Sequence, residues 1–326
     1  MAQSVKPTQS VASVRARGRL RLSRSQRKQL TFYAFIGPWL LGFLLFGVGP
    51  LALGFYLSLT NYNGLNWLSW RFVGAGNYVR AFNDLDMAHA IQRTVLWSLI
   101  NTPLWLASSF LLAVTMNRHS RGQGTIRTLL YLPSIVPMVA TIYAWKMLLD
   151  TNFGLVNAVL DAFRPGTAIK WFTDYGFGSL TAISLWTGLG SGVIIFLAGL
   201  QGIPTELEEA ARIDGATDWQ AMRHVTLPLM TPVIFFQLIL GLINSFQTLA
   251  LPLLMSQTGA ASTLPLRSVY LYMVHAYAQI FVYQRFGYGL ALIWMLFVVV
   301  LILTLVVFAT SRYWVYYEHD VEGDGR

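Results

Sequence analysis

The sequence predicts an all-α integral membrane protein of six transmembrane helices, and three observations carry that prediction. Only 11% of residues are charged while 55% are hydrophobic, against about 25% charged in soluble domains. The mean hydropathy is +0.52. Several apolar runs also reach the ~20 residues that a helix needs to cross a bilayer. Helices and closed barrels alone satisfy their backbone hydrogen bonds in hydrocarbon, and these runs lack the alternation of barrel strands. Cysteine is absent, which excludes disulfides, thiolate metal sites and thiol nucleophiles.

The elements follow in order. Residues 1–30 form a basic tail. Residues 31–311 form the transmembrane domain, and 312–326 a short C-terminal tail. The predicted spans are 32–59, 94–116, 129–149, 180–200, 229–255 and 288–310, with Pro38 and Pro50 bending the first. Eight basic residues precede the first span: Lys6, Arg15, Arg17, Arg19, Arg21, Arg24, Arg27 and Lys28. With the connections after spans two and four and the C-terminal tail, fifteen of the 23 Lys and Arg fall on one side and seven on the other. The positive-inside rule places both termini in the cytoplasm. This distribution explains the net charge of +9 without a nucleic-acid partner. The first segment is too long for a secretory signal and lacks a small-residue cleavage site, so it is expected to remain. Lys146, at the end of span three, is expected to snorkel to the headgroups.

Between spans four and five, residues 204–228 gather seven charges within Glu206–Arg223. Thr205 and Glu208 have capping-box spacing, so a short helix is expected to run to about Ile213. Gly215 is placed to end it in a left-handed conformation. Asp218 is placed to cap a second short helix through His224, and Leu227-Pro228 leads into span five. Composition alone also fits a solvated connector. Two caps, a glycine stop and small alanines instead describe a folded, docked helix–turn–helix.

Within the spans, Gln237, Gly241, Asn244 and Thr248 fall within about 60° of one another on span five at about 100° per residue. Ser245 lies at the edge and Gln247 on the flank. Such a face looks into protein or a wet cavity rather than lipid, which suits either interhelical hydrogen bonding or a neutral solute path. The glycine cluster Thr187–Gly192, including Gly188 and Ser191, fits close helix packing or backbone beside a path.

These residues carry a family resemblance. Glu209, Ala210, Ala211, Asp214, Gly215, Ala216, Val225, Leu227 and Pro228 resemble the E-A-A loop of permease subunits of binding-protein-dependent ABC importers. "FVGAGNYVRAF" (72–82), "RTLLYLPSIVP" (127–137) and "IFLAGLQGIPTELEEAARIDGA" (195–216) are similar to the sugar-type subfamily, and most to the maltose and glycerol-3-phosphate permeases. The resemblance implies a type I importer permease fold in a bacterial or archaeal cytoplasmic membrane. It implies as partners a second permease subunit in a heterodimer, two copies of a cytoplasmic P-loop ATPase and an extracytoplasmic solute-binding protein. It implies that Glu209, Ala210, Ala211, Asp214, Gly215, Trp219 and Met222 form the ATPase-coupling site, with Glu209 paired to a cation. By the same resemblance, Gly188, Ser191, Gln237, Asn244, Ser245 and Thr248 are candidates for a sugar path. "SQTGAASTLPL" (256–266) departs from the family by lacking a Gly-Gly-Pro turn.

The chain has no G-K-[ST], hence no ATP site of its own, and no H-E-x-x-H or G-x-S-x-G motif. It is therefore not expected to be an enzyme or to hold a cofactor or metal. The alternative is an ion-gradient-driven secondary transporter, which generally needs intramembrane carboxylates or histidines. The acidic residues fall outside the predicted spans or, for Asp150, at a boundary. His275 is expected at the surface of an external loop.

Overall fold

A computed structural model describes residues 23–66, 70–117, 123–256 and 266–316. Most of the N-terminal tail, most of the C-terminal tail and nearly all of the segment without a Gly-Gly-Pro turn lie outside the described residues. The chain divides into two compact units between Leu53 and Gly54.

In the first unit, helix α1 (Arg24–Phe43) begins at a capping box. The Gln26 amide donates to Ser23 Oγ and the Ser23 amide to Gln26 Oε1. A π-turn over Leu44–Val48 follows, closed by the Gly49 amide on the Leu44 carbonyl. Helix α2 (Gly49–Ser58) starts there. This shifted register sits immediately before Pro50, which has no amide hydrogen to give.

The second unit holds the rest. Helix α3 (Gly76–Phe82) precedes α4 (Leu85–Asn117), and α5 (Gln123–Ile135) precedes α6 (Met138–Leu148). Then come α7 (Leu155–Phe163), α8 (Gly176–Gln201), α9 (Thr205–Ile213), α10 (Asp218–Ala221) and α11 (Leu227–Phe246). The last are α12 (Ala250–Ser256), α13 (Tyr272–Tyr277) and α14 (Phe286–Ser311). Five candidate spans result among the described residues, or six if a bent pair counts as one. That pair covers the predicted third span, 129–149, with two helices in place of one. Helices α5 and α6 meet at 100°, because Pro137 lacks a donor and pushes Val136 out of the α region. Span five is also broken, at 247–249, before α12.

Helix α4 packs on both α8 and α11, and α5 crosses α8. The α4–α8–α11 contact buries Ala113, Phe196 and Met230. A second apolar cluster joins Trp97, Ile142, Leu180 and Leu251, and a third Tyr272, Tyr288 and Leu292. The glycine cluster serves packing: at Gly190 a Cβ would strike the Leu130 carbonyl and the Tyr131 Cα, both backbone atoms. Small residues at such crossings let helices approach closely.

Gly190→Ala should therefore destabilise the purified protein by about 1–3 kcal/mol of overpacking and lower its thermal midpoint. Gly178→Ala, on the same helix with nothing within 4 Å, should leave it unchanged or slightly raised. Equal midpoints for the two variants would contradict the close crossing.

Candidate functional site

The loop between α8 and α11 is a folded helix–turn–helix. Helix α9 ends in a Schellman turn, with the Gly215 amide on the Arg212 carbonyl and the Ala216 amide on the Ala211 carbonyl at 2.9 Å. Gly215 has φ +84°, a conformation that glycine adopts without a steric cost. Two expected caps are corrected. Pro204 occupies the cap of α9 and no side chain bonds there, because the Glu208 carboxylate turns away to accept from Thr226 Oγ1 at 3.1 Å. The cap of α10 is Thr217, in a capping box with Gln220, and Asp218 is the first helical residue. The T-x-x-Q spacing at 217–220 is the signal that would have found it.

The second helix does not stop at His224 as expected. It passes through a π-turn over Met222–Thr226 directly into α11. Pro228 and Pro232 both fall in this run. The carbonyl of Pro228, which Pro232 cannot reach with an amide, accepts from Thr231 Oγ1 at 2.6 Å. The same hydroxyl oxygen accepts the Tyr316 amide at 2.9 Å, tying the C-terminal segment to α11.

Of the residues singled out for coupling, Glu209, Ala210, Asp214, Gly215 and Trp219 are exposed, while Ala211 and Met222 are half-buried. Trp219 is 72% exposed and Ile213 85%. Both are large apolar side chains held out on an otherwise charged element. Ile213 shares the exposed face of α9 with Glu206 and Glu209, and its helical phase, within about 40° of both, is the signal that would have found it. Behind the loop lies a cavity of about 730 Å³, lined in part by Arg127, Gln201, Glu208, Arg212 and Thr226.

The candidate path residues separate into two groups. Gln237 is buried, with Nε2 3.5 Å from the Gly192 carbonyl. Ser245 is buried and shares a 2.6 Å hydrogen bond with Ser98. The Gly188 carbonyl accepts from Trp105 Nε1 at 2.9 Å. Thr102 Oγ1 lies 3.4 Å from the Gly241 carbonyl. The first contact joins α11 to α8, and the other three hold α4 to both of them. Ser191 and Asn244 are exposed, and Thr248 is half-buried in the break after α11.

His275 is not a surface residue. It is 1% exposed, with Nε2 3.5 Å from Asp84 Oδ2 and Nδ1 3.1 Å from the Tyr270 hydroxyl. Asp84 also accepts from the Tyr288 hydroxyl at 2.6 Å. The cluster joins the turn before α4 to α13 and α14. Sequence spacing gave no sign of it, because Asp84, which joins His275 to Tyr288, lies far before both in the chain. Burial holds the imidazole below its ordinary value, partly offset by Asp84 and Asp86. Burial raises the Asp84 carboxyl, but the Tyr288 hydroxyl, the Met87 and Asp86 amides and His275 outweigh it, so it titrates below its ordinary range.

Both shifts act in one direction. The unfolded chain binds each proton more readily than the folded one, so stability is lost on acidification. For His275 the loss begins below its ordinary value of 6.5. Thermal midpoints measured from pH 7.5 down to pH 5 should fall, and His275→Gln should flatten that dependence. An unchanged slope in the variant would remove His275 as its source.

Comparison with known proteins adds family context. Residues 106–316 match the family of binding-protein-dependent transport system inner membrane components. The chain is 35% identical over 93% of its length, and 97% of the relative's, to a probable ABC transporter permease protein, YesP, of Bacillus subtilis. It is 26% identical over 86% of its length, and 93% of the relative's, to the trehalose/maltose transport system permease protein MalF of Thermococcus litoralis. A bacterial alginate ABC transporter, solved in complex with an alginate pentasaccharide-bound periplasmic protein, has a similar fold. The TM-score is 0.77 at 22% identity, covering 90% of this chain and 97% of that one.

Proposed function

The chain belongs to the binding-protein-dependent transport system inner membrane component family, and on that premise we propose that it forms half the path of an ATP-driven importer for a sugar or oligosaccharide. The sugar class rests on relatives named for trehalose/maltose, lactose and arabinooligosaccharides. Its partners are a second permease subunit, two copies of a P-loop ATPase and a solute-binding protein. The loop at 204–228 and both termini face the cytoplasm.

The observation that carries the reading is the α9–α10 turn, which exposes Glu209, Ile213 and Trp219 and runs without interruption into α11. An ATPase cleft would take the two apolar side chains, with Glu209 facing a cation. Closure of the ATPase dimer then pushes α10, and the rigid helix passes the displacement to α11 and so to Asn244. ATP favours one arrangement of the spans to the extent that the loop binds the closed dimer more tightly. Asn244, Thr248 and Ser191 front the path, while Gly188, Gln237 and Ser245 shape its wall. The breaks at 136–137 and 247–249 support a wet path, since non-helical backbone at membrane depth is tolerated only against protein or water. Amides and hydroxyls suit a neutral, hydroxyl-rich solute.

Among the described residues the candidate spans carry Asp and Glu only in their first turn, at Asp86 and Asp218. The Asp84–His275 pair lies outside them. Ion-gradient coupling therefore gains no support.

Glu209→Lys should deplete the ATPase that co-purifies with the tagged chain, with the permease still membrane-inserted. Asn244→Ala should keep the ATPase and weaken uptake affinity about 3- to 10-fold, the worth of one neutral hydrogen bond. Wild-type ATPase recovery with Glu209→Lys would refute the coupling assignment. Unchanged uptake with Asn244→Ala would remove it from the path.

A further inference from the structure

We propose that α7 is an interfacial anchor whose exposed face is seated in the phospholipid of its own leaflet. The helix lies between two membrane segments. Residues 149–154 connect it to α6, and 164–175 connect it to α8, so short connectors tether it near the membrane surface. Its orientation is fixed by Asn157, which is 4% exposed. Asn157 Nδ2 donates to the carbonyls of Ile169 at 2.9 Å, Thr151 at 3.1 Å and Asp150 at 3.3 Å. Its Oδ1 accepts from Trp171 Nε1 at 2.9 Å. One buried side chain thus locks the helix to both flanking loops.

The face turned away from that lock is exposed and apolar. At about 100° per residue, Leu155, Ala158, Val159, Ala162 and Phe163 fall within an arc of about 140°. All five are exposed, Phe163 at 86%, and Phe153 just before the helix at 92%. Asp161 lies about 130° from the centre of that arc. Met147, at the end of α6, is likewise exposed. Arg164 and Lys170 are exposed just beyond the helix, where cations meet headgroup phosphates, and Trp171 and Tyr175 follow them. Amphipathic helices that lie in the interface bury an apolar face and keep cations at its polar edge. Aromatic rings favour the same level.

Lipid is a better occupant than a protein partner. A partner interface carries a polar rim and about one hydrogen bond per 100–200 Å², and this face has no hydrogen-bonding side chain. A surface kept for a soluble partner would also stand in water between encounters. The inference rests on membrane-family membership and not on the solute or coupling assignments.

The absence of native cysteine allows a direct test. Val159→Cys, Phe163→Cys and Asp161→Cys would each carry a nitroxide in the assembled transporter in lipid nanodiscs. Power-saturation EPR would compare collisions with oxygen, which partitions into lipid, and with a water-soluble nickel chelate. The expected result is several-fold greater oxygen than nickel accessibility at 159 and 163, reversed at 161. Nickel-accessible labels at 159 and 163 would place the face in water and overturn the proposal. Labels there accessible to neither reagent would place a protein partner on it, which overturns it equally.

Discussion

The unbroken helix from Asp218 to Phe246 is the constraint on which the proposed mechanism depends. A force applied to a loop reaches a span only if no flexible hinge lies between them. Two prolines threaten that continuity, since each removes an amide donor from the ladder. The π-turn at 222–226 shifts the bonding register ahead of Pro228. The Thr231 hydroxyl occupies the carbonyl that Pro232 leaves open. At the other end, Thr226 holds Glu208 and so fixes α9 against the base of the lever. The Schellman turn at Gly215 sets the angle between the two short helices. Local backbone chemistry makes a loop into a stiff part.

Helix α4 provides the bearing against which α11 would move. Its Ser98, Thr102 and Trp105 reach α11 and α8 through hydrogen bonds. Hydrophobic burial does not hold helices together in lipid, so such polar contacts and close packing carry the association. That explains why several polar residues of span five are spent inside the chain. The residues left facing outward, Asn244 and Ser191, are those available to a solute or to a second subunit.

Much of this was legible in the sequence. The lengths of the apolar runs marked the spans, and helices α4, α8 and α14 enclose the predicted second, fourth and sixth segments. Gly215 was readable as a helix stop because only a glycine-like residue takes that conformation cheaply. The break between α5 and α6 was written in Pro137, but hydropathy masks it, since the apolar run continues across it. The capping assignments failed by one residue at Asp218 and by a competing tertiary bond at Glu208. The burial of His275 was invisible, because Asp84 is distant in sequence and the neighbours of His275 read as a loop. Span five showed the complementary limit. Periodicity found the polar face, but only the contacts of α4 separated the groups used for packing from those left exposed.

The sharpest measurement is solute uptake by the assembled transporter in liposomes after two glycines are inserted following Ala221. A rigid lever predicts that the ATPase still binds and hydrolyses ATP while uptake falls to background. Uptake at the wild-type rate, with the insertion verified, would show that α11 moves without being pushed through α10, and would contradict the mechanism.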